Sequence, residues 1–202
     1  MKKLLVLAVS SLLVMGAVCQ ATVIMDATLH NGALTASGAG NWGDGHTPAG
    51  WVDTLGGYSC YQTAYQWTII ASSYGSAINN TGEIVHAGEA FTVSASLGCS
   101  SANKTAVVQV WATQNADGTG AAALLADVSR FEPTGIPTYT LYPVVGVQGA
   151  PAAASLAGYY VQVKLVGGSS YFDNIGVTSQ IIPEPATMAL LGLGGLLLRR
   201  KK

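Results

Sequence analysis

The chain has 202 residues, of which only 9% are charged and 50% hydrophobic, and its formal net charge is −1. So sparse and balanced a charge gives no basic field for nucleic acid, and no nucleic-acid partner is expected. Abundant Val, Tyr, Trp and Ile with almost no net charge also exclude an intrinsically disordered chain.

Lys2 and Lys3 precede an apolar stretch from Leu4 to Val14 and then small residues up to Ala21. That order is a secretory signal peptide, residues 1–21, with signal peptidase as a processing partner and an N-terminal signal helix before removal. A cut after Ala21 places Cys19 at minus three and Ala21 at minus one, both small. The alternative, acylation at Cys19, wants Gly, Ala or Ser at the position Val18 occupies. Residues 22–180 then suit a single domain, and residues 181–202 form a separate tail.

Period-two alternation recurs along residues 22–180, whereas no helical period does. It runs through "YQWTIIA" (Tyr65, Trp67, Ile69), "FTVSAS" (Phe91, Val93, Ala95) and "VVQVWA" (Val108, Val110, Ala112). The clearest case, "YYVQVKLV", sets Tyr159, Val161, Val163 and Leu165 on one face, and "YFDNIGVT" sets Phe172 opposite Ile175 and Val177. These read as strands. Turns are expected at "NNTG" (Asn79 to Gly82), "NADGTG" (Asn115 to Gly120) and "VGGSS" (Val166 to Ser170), with Pro133, Pro137 and Pro143 breaking the stretch between. "APAAASLAG" suits one helical turn or a loop equally. With no strand–helix alternation, the expected fold is all-β, a single antiparallel β-sandwich.

Cys60 and Cys99 remain after leader removal, an even pair in an oxidising setting. A disulfide is expected in preference to two buried thiols, and its loop length would contribute about 3–4 kcal/mol. The stretch "WVDTLGGYSCYQTAYQW" supplies flat rings and amides, the groups that hold a sugar. Tyr58, Tyr61 and Gln62 are the candidate glycan contacts, because they flank a Gly-rich connection, whereas Trp67 alternates with Ile69 toward the core. Such aromatics also fill sandwich cores, and that reading stays open.

Signals for an enzyme are few. His30, His46 and His86 have no partner at metal spacing, and neither H-E-x-x-H nor G-x-S-x-G occurs. "GAGNWG" (Gly38 to Gly43) has nucleotide-loop spacing but opens no helix after a strand. "NADGTG" lacks the terminal Glu of a calcium loop. Asp44, Asp53, Glu83 and Glu89 could meet as paired carboxylates, although no spacing requires it. The expectation is a non-enzyme.

"NGAL" at Asn31, "TPAGW" ending at Trp51, "GEAFTVSASL" from Gly88 and the closing "YYVQVKLVGGSSYFDNIGVT" together resemble the galactose-binding-like jelly roll found in many carbohydrate-binding modules. The resemblance spans about Val23 to Thr178. It implies a jelly-roll sandwich and, at the position of Asp173, a ligand to structural calcium, with Asp26 as a candidate partner. The alternative is that Asp173 caps loop amides. No other cofactor is expected.

The chain closes on Pro183-Glu184-Pro185, an apolar run of thirteen residues from Ala186 to Leu198, and the basic cluster Arg199, Arg200, Lys201 and Lys202. As a helix that run reaches about 20 Å, short of the roughly 30 Å of a bilayer core. The cations stay on the cytoplasmic side of the inner membrane and leave the domain outside. This tripartite end resembles the PEP-CTERM sorting signal, which implies an exosortase as processing partner. A plain anchor with an accidental Pro-Glu-Pro is the alternative. The expected protein is exported, held by its C-terminal helix until processing and then placed at the cell surface or in the matrix. There it is a structural or adhesive module associated with extracellular polysaccharide, or a lectin-like module for one glycan, or, less favoured, a secreted glycan-active enzyme.

Overall fold

Alternating apolar residues build long strands, and turns at Gly, Asn and Asp return them antiparallel. The computed structural model describes residues 21–34, 48–53, 59–62, 67–70, 76–134 and 141–182. In chain order its elements are β1 (Thr22–Met25), β2 (Val52–Asp53), β3 (Ser59–Gln62), β4 (Trp67–Ile70), β5 (Ser76–Ile84), β6 (Glu89–Cys99), β7 (Lys104–Thr113), β8 (Ala122–Glu132), β9 (Tyr142–Gln148), a single 3-10 turn at Ala154–Leu156, β10 (Tyr160–Val166) and β11 (Ser170–Ile181).

The strands make two antiparallel sheets. The first runs β3-β4-β11-β6-β9, and β1 joins β11 beyond the end of β4; the second runs β2-β5-β10-β7-β8. Their inner faces close on one core. Phe91, Val93, Ala95 and Leu97 of β6 meet Val108, Val110 and Ala112 of β7, Val161, Val163 and Leu165 of β10, and Phe172, Ile175 and Val177 of β11. The fold is the expected antiparallel β-sandwich, and β6, β7 and β10 bury the faces their alternation marked.

Three sequence expectations are corrected. Asn79 to Gly82 is not a turn but lies within β5. There Thr81, Gly82 and Glu83 all face Val161 of β10, the pairing passing from Gln162↔Asn80 to Tyr160↔Ile84. Gly82 takes φ +77° to make this bulge, and the Thr81 hydroxyl donates to the Val161 carbonyl at 2.8 Å. Second, Phe172 does not stand opposite Ile175 and Val177: all three are buried in the core. Asn174 and Ile175 together face the position of Ala95, between the pairs Asp173↔Ser96 and Gly176↔Ser94. Asn174 is left-handed at φ 49°, and the extra residue reverses the alternation.

Third, the expected Cys60–Cys99 disulfide is not made. Cys60 pairs with Ile69, Ile69 with Tyr171, and Tyr171 with Gly98, the neighbour of Cys99. Three interstrand steps separate the two cysteines by about 14 Å, twice what a disulfide spans. Cys99 is a free, buried thiol, and its Sγ lies 3.5 Å from Ser170 Oγ. Burial pushes this thiol up from its ordinary pKa, the state of an inert structural cysteine.

The topology brings both ends of the domain together. β6 starts at Glu89 opposite Ile181, the last residue of β11, and β1 starts at Thr22 opposite Ser179. The Ile182 N–H donates to the Gly88 carbonyl at 2.9 Å. Thr22 and Ile182 therefore lie at one pole, beside the turn from β5 to β6.

Candidate functional site

The outer face of the second sheet gathers the polar and aromatic side chains that the core leaves out. Register defines its rows. Gln162 of β10 stands between Asn80 of β5 and Trp111 of β7, and Trp111 stands beside Leu124 of β8. In the next row Lys164 faces Gln109, and Gln109 faces Asp127. Trp111 alternates with the buried Val110 and Ala112 and is itself partly exposed. Its indole Nε1–H donates to Gln109 Oε1 at 3.1 Å, which sets the ring against that amide. Leu124 is 46% exposed, so the row ends on an open apolar step.

A wall closes one end of this face. The loop between β7 and β8 turns where the sequence places a hairpin, and the Asn80 amide donates to the Asp117 carbonyl at 3.0 Å. Gln162 Nε2 donates to Asn80 Oδ1 at 2.8 Å. Gly118, at φ +82°, lies so close to Gln162 Nε2 that a β-carbon there would collide with it. The loop is held from within: Asp117 Oδ1 accepts from the Thr119 hydroxyl at 2.6 Å and the Thr119 N–H at 2.9 Å. These bonds, the hydroxyl's first, hold the Asp117 carboxyl below its ordinary pKa. Gln162, Gln109, Asp127 and Lys164 thus border a partly exposed indole on a sheet backed by the core, with Asn80 one strand beyond Gln162. At the other end of β8, Arg130 stacks 3.8 Å over the Tyr142 ring and pairs with Glu132 at 3.1 Å, tying the two sheets at their edge.

The residues expected from sequence are dispersed. Tyr61 and Gln62 lie on β3, the edge strand of the other sheet, whereas Tyr58 lies outside the described residues. So do His46, Asp44, Tyr65 and Gln66, residues 1–20 of the leader, and residues 183–202 of the tail with Pro183, Glu184, Pro185, Arg199, Arg200, Lys201 and Lys202. Trp51 is no sugar platform: it is 4% exposed and packs in the core, with its Nε1–H donating to the Asn31 carbonyl at 3.2 Å. "NGAL", one of the stretches that carry the resemblance, lies outside the strands. His30, Asn31 and Leu34 all take positive φ in a tight loop after β1.

That loop docks on the bulge that follows Asp173. The Gly32 N–H donates to the Asp26 carbonyl at 2.7 Å, and the Ile175 N–H donates to the Gly32 carbonyl at 2.8 Å. Asp26 Oδ1 accepts from the N–H groups of Thr28 and Leu29, each at 2.7 Å, and from the Thr28 hydroxyl at 2.9 Å. These bonds, Leu29's foremost, lower the Asp26 pKa. Asp173 Oδ1 accepts from the Asn174 N–H at 2.7 Å and Oδ2 from its side-chain amide at 3.1 Å. Burial raises the Asp173 pKa against the Asn174 N–H, which lowers it. Both carboxylates serve local N–H groups, and among the described residues no three His, Cys, Asp or Glu side chains gather to hold a metal ion.

His86 and Glu89 do meet, on the turn from β5 to β6, with Nδ1 and Oε2 3.3 Å apart. Glu89 Oε2 also accepts from the His86 N–H at 2.8 Å. Ser179, which lines the same end of the sandwich, has a buried hydroxyl with no hydrogen-bond partner.

Comparison with known proteins bears on fold and on sorting. No curated protein matches the chain. Among solved structures, the apo form of a cyclase from Fischerella sp. aligns at a TM-score of 0.51 and 10% identity, covering 81% of this chain and 98% of that one. A cyclase from Fischerella sp. TAU aligns at 0.41 and 13% identity, covering 82% and 100%. The first likeness shows a shared fold and nothing finer. Residues 182–202 match the PEP-CTERM protein-sorting motif. That match supports an exported protein, sorted and processed at its C-terminus by an exosortase.

Proposed function

We propose that this is a non-enzymatic module of the cell surface or extracellular matrix that associates with extracellular polysaccharide through the outer face of its second sheet. The observation that carries the reading is the register that sets Trp111 among Gln162, Gln109, Asp127 and Lys164. A sugar ring offers C–H groups to an aromatic plane and hydroxyls to amides, carboxylates and ammonium groups, and this face holds all of them on rigid strands. The strand order also supports the galactose-binding-like reading. Strands β4-β11-β6-β9 over β5-β10-β7-β8 follow the two Greek keys of a jelly roll. No cyclase activity is transferred from a neighbour at 10% identity.

The test uses the mature domain and polysaccharide from the same host, measured by calorimetry. Trp111→Ala is expected to weaken binding by about tenfold or more with the thermal midpoint little changed, and Tyr61→Ala to leave binding intact. Unchanged binding by Trp111→Ala, or loss in Tyr61→Ala alone, would overturn the assignment. Competition separates a general polysaccharide association from a lectin-like site for one glycan: only the latter is displaced by a single short oligosaccharide.

A further inference from the structure

The sorting motif begins inside the folded domain. Its first matched residue is Ile182, which is hydrogen-bonded to Gly88, and Ile181 before it still pairs with Glu89. Pro183, Glu184 and Pro185 follow at once. Three residues reach about 10 Å at full extension, so an enzyme that holds the Pro-Glu-Pro must bring its own surface against this pole of the sandwich.

The pole offers an open groove of about 650 Å³ between the end of β11, the start of β1 and the turn from β5 to β6. Ile24 forms its floor at 4% exposure, and Ile84 and Ile181 stand on it at 47% and 44%. Single exposed apolar residues are common, but these two share a groove with the strand that runs into the motif. Glu83, His86 and Glu89 make the polar side. Among the described residues no Lys or Arg lines the groove, whereas two carboxylates do, which repel an anionic lipid surface there.

Resting on the exosortase reading, we propose that this groove is the docking surface for the outward-facing side of the membrane-embedded sorting enzyme, with Ile84 and Ile181 as its apolar contacts. Recognition then has two parts, the extended tripeptide and the folded pole beside it.

The test follows processing of the full-length chain by pulse-chase in a host that has the enzyme. Ile84→Ser with Ile181→Ser is expected to slow processing on the order of tenfold, two apolar contacts being lost, while the secreted domain keeps its thermal midpoint. A flexible Gly-Ser spacer between Ile182 and Pro183 is expected to slow processing equally, and adding the serine pair to the spacer chain to change nothing more. Processing of either variant at the wild-type rate overturns the proposal. So does binding of the enzyme-free domain to vesicles of zwitterionic or anionic lipid that the serine pair abolishes, because the groove's partner would then be lipid. Replacing Pro183, Glu184 and Pro185 by Ala tests the sorting reading by itself. Blocked processing there, beside an unaffected serine pair, removes the docking surface alone; unblocked processing removes both.

Discussion

Reduction of the mature protein is expected to leave its stability unchanged. A bridge between Cys60 and Cys99 would close a loop worth about 3–4 kcal/mol. In a domain of this size each kcal/mol moves the thermal midpoint by about 2–4 °C, so losing such a bridge would lower it by roughly 10 °C. The register forbids the bridge: Cys60 and the neighbour of Cys99 stand three interstrand steps apart across β4 and β11, and the Cys99 thiol is free. The assay is a melt with and without reductant, joined to thiol titration in denaturant, where both cysteines of the mature chain should react. A fall of about 10 °C on reduction, with no thiol titrating beforehand, would refute the strand order of the first sheet as well as the free thiol.

Four further outcomes follow from packing and charge. Phe91 is fully buried, and Phe91→Ala should cost about 3–5 kcal/mol, read from the urea midpoint at constant slope. Gly82 takes φ +77° with open space around it, so Gly82→Ala should cost about 1 kcal/mol from backbone strain alone; a neutral result in the same titration would place the bulge elsewhere. The Asp173 pKa is raised by burial, so the folded state favours its neutral form. Its cost is absent below the unfolded pKa and grows as pH rises toward the folded one. Asp173→Asn should therefore gain stability over wild type near neutral pH relative to its value near pH ~3, and a gain that shrinks with rising pH would contradict this. Asp26, held low by the Leu29 and Thr28 bonds, has the opposite sign: what Asp26→Asn loses near neutral pH should vanish as pH falls through the folded pKa.

Strand faces were legible wherever alternation was unbroken, as in Phe91-Val93-Ala95 and Val161-Val163-Leu165, because one buried side of a sheet demands a period of two. Bulges defeated the same rule. Gly82 has the chemistry of a turn but serves an irregularity inside β5, and the extra residue at Asn174 turned Ile175 to the face of Phe172. β8 went unread because its pairing shifts between Val110 and Trp111, which spoils the alternation of "AALLADVSRFE". β9 carries Pro143 on a sheet edge, the place where a strand accepts proline. The candidate glycan face was invisible for a different reason. Trp111 meets Gln162 and Leu124 only through pairing between strands distant in sequence, and local spacing does not encode which strand lies beside which. The sorting tail was legible because its three parts are contiguous and their order is their chemistry.

The most direct test of the central claim, an exported sandwich with both processed ends at one pole, is the intact mass of the protein recovered from the envelope of a host that has the sorting machinery. The account predicts a chain that begins at Thr22 and has lost Arg199 to Lys202, with its C-terminus close to Pro183–Pro185. A mass that retains the tail through Lys202 would contradict it.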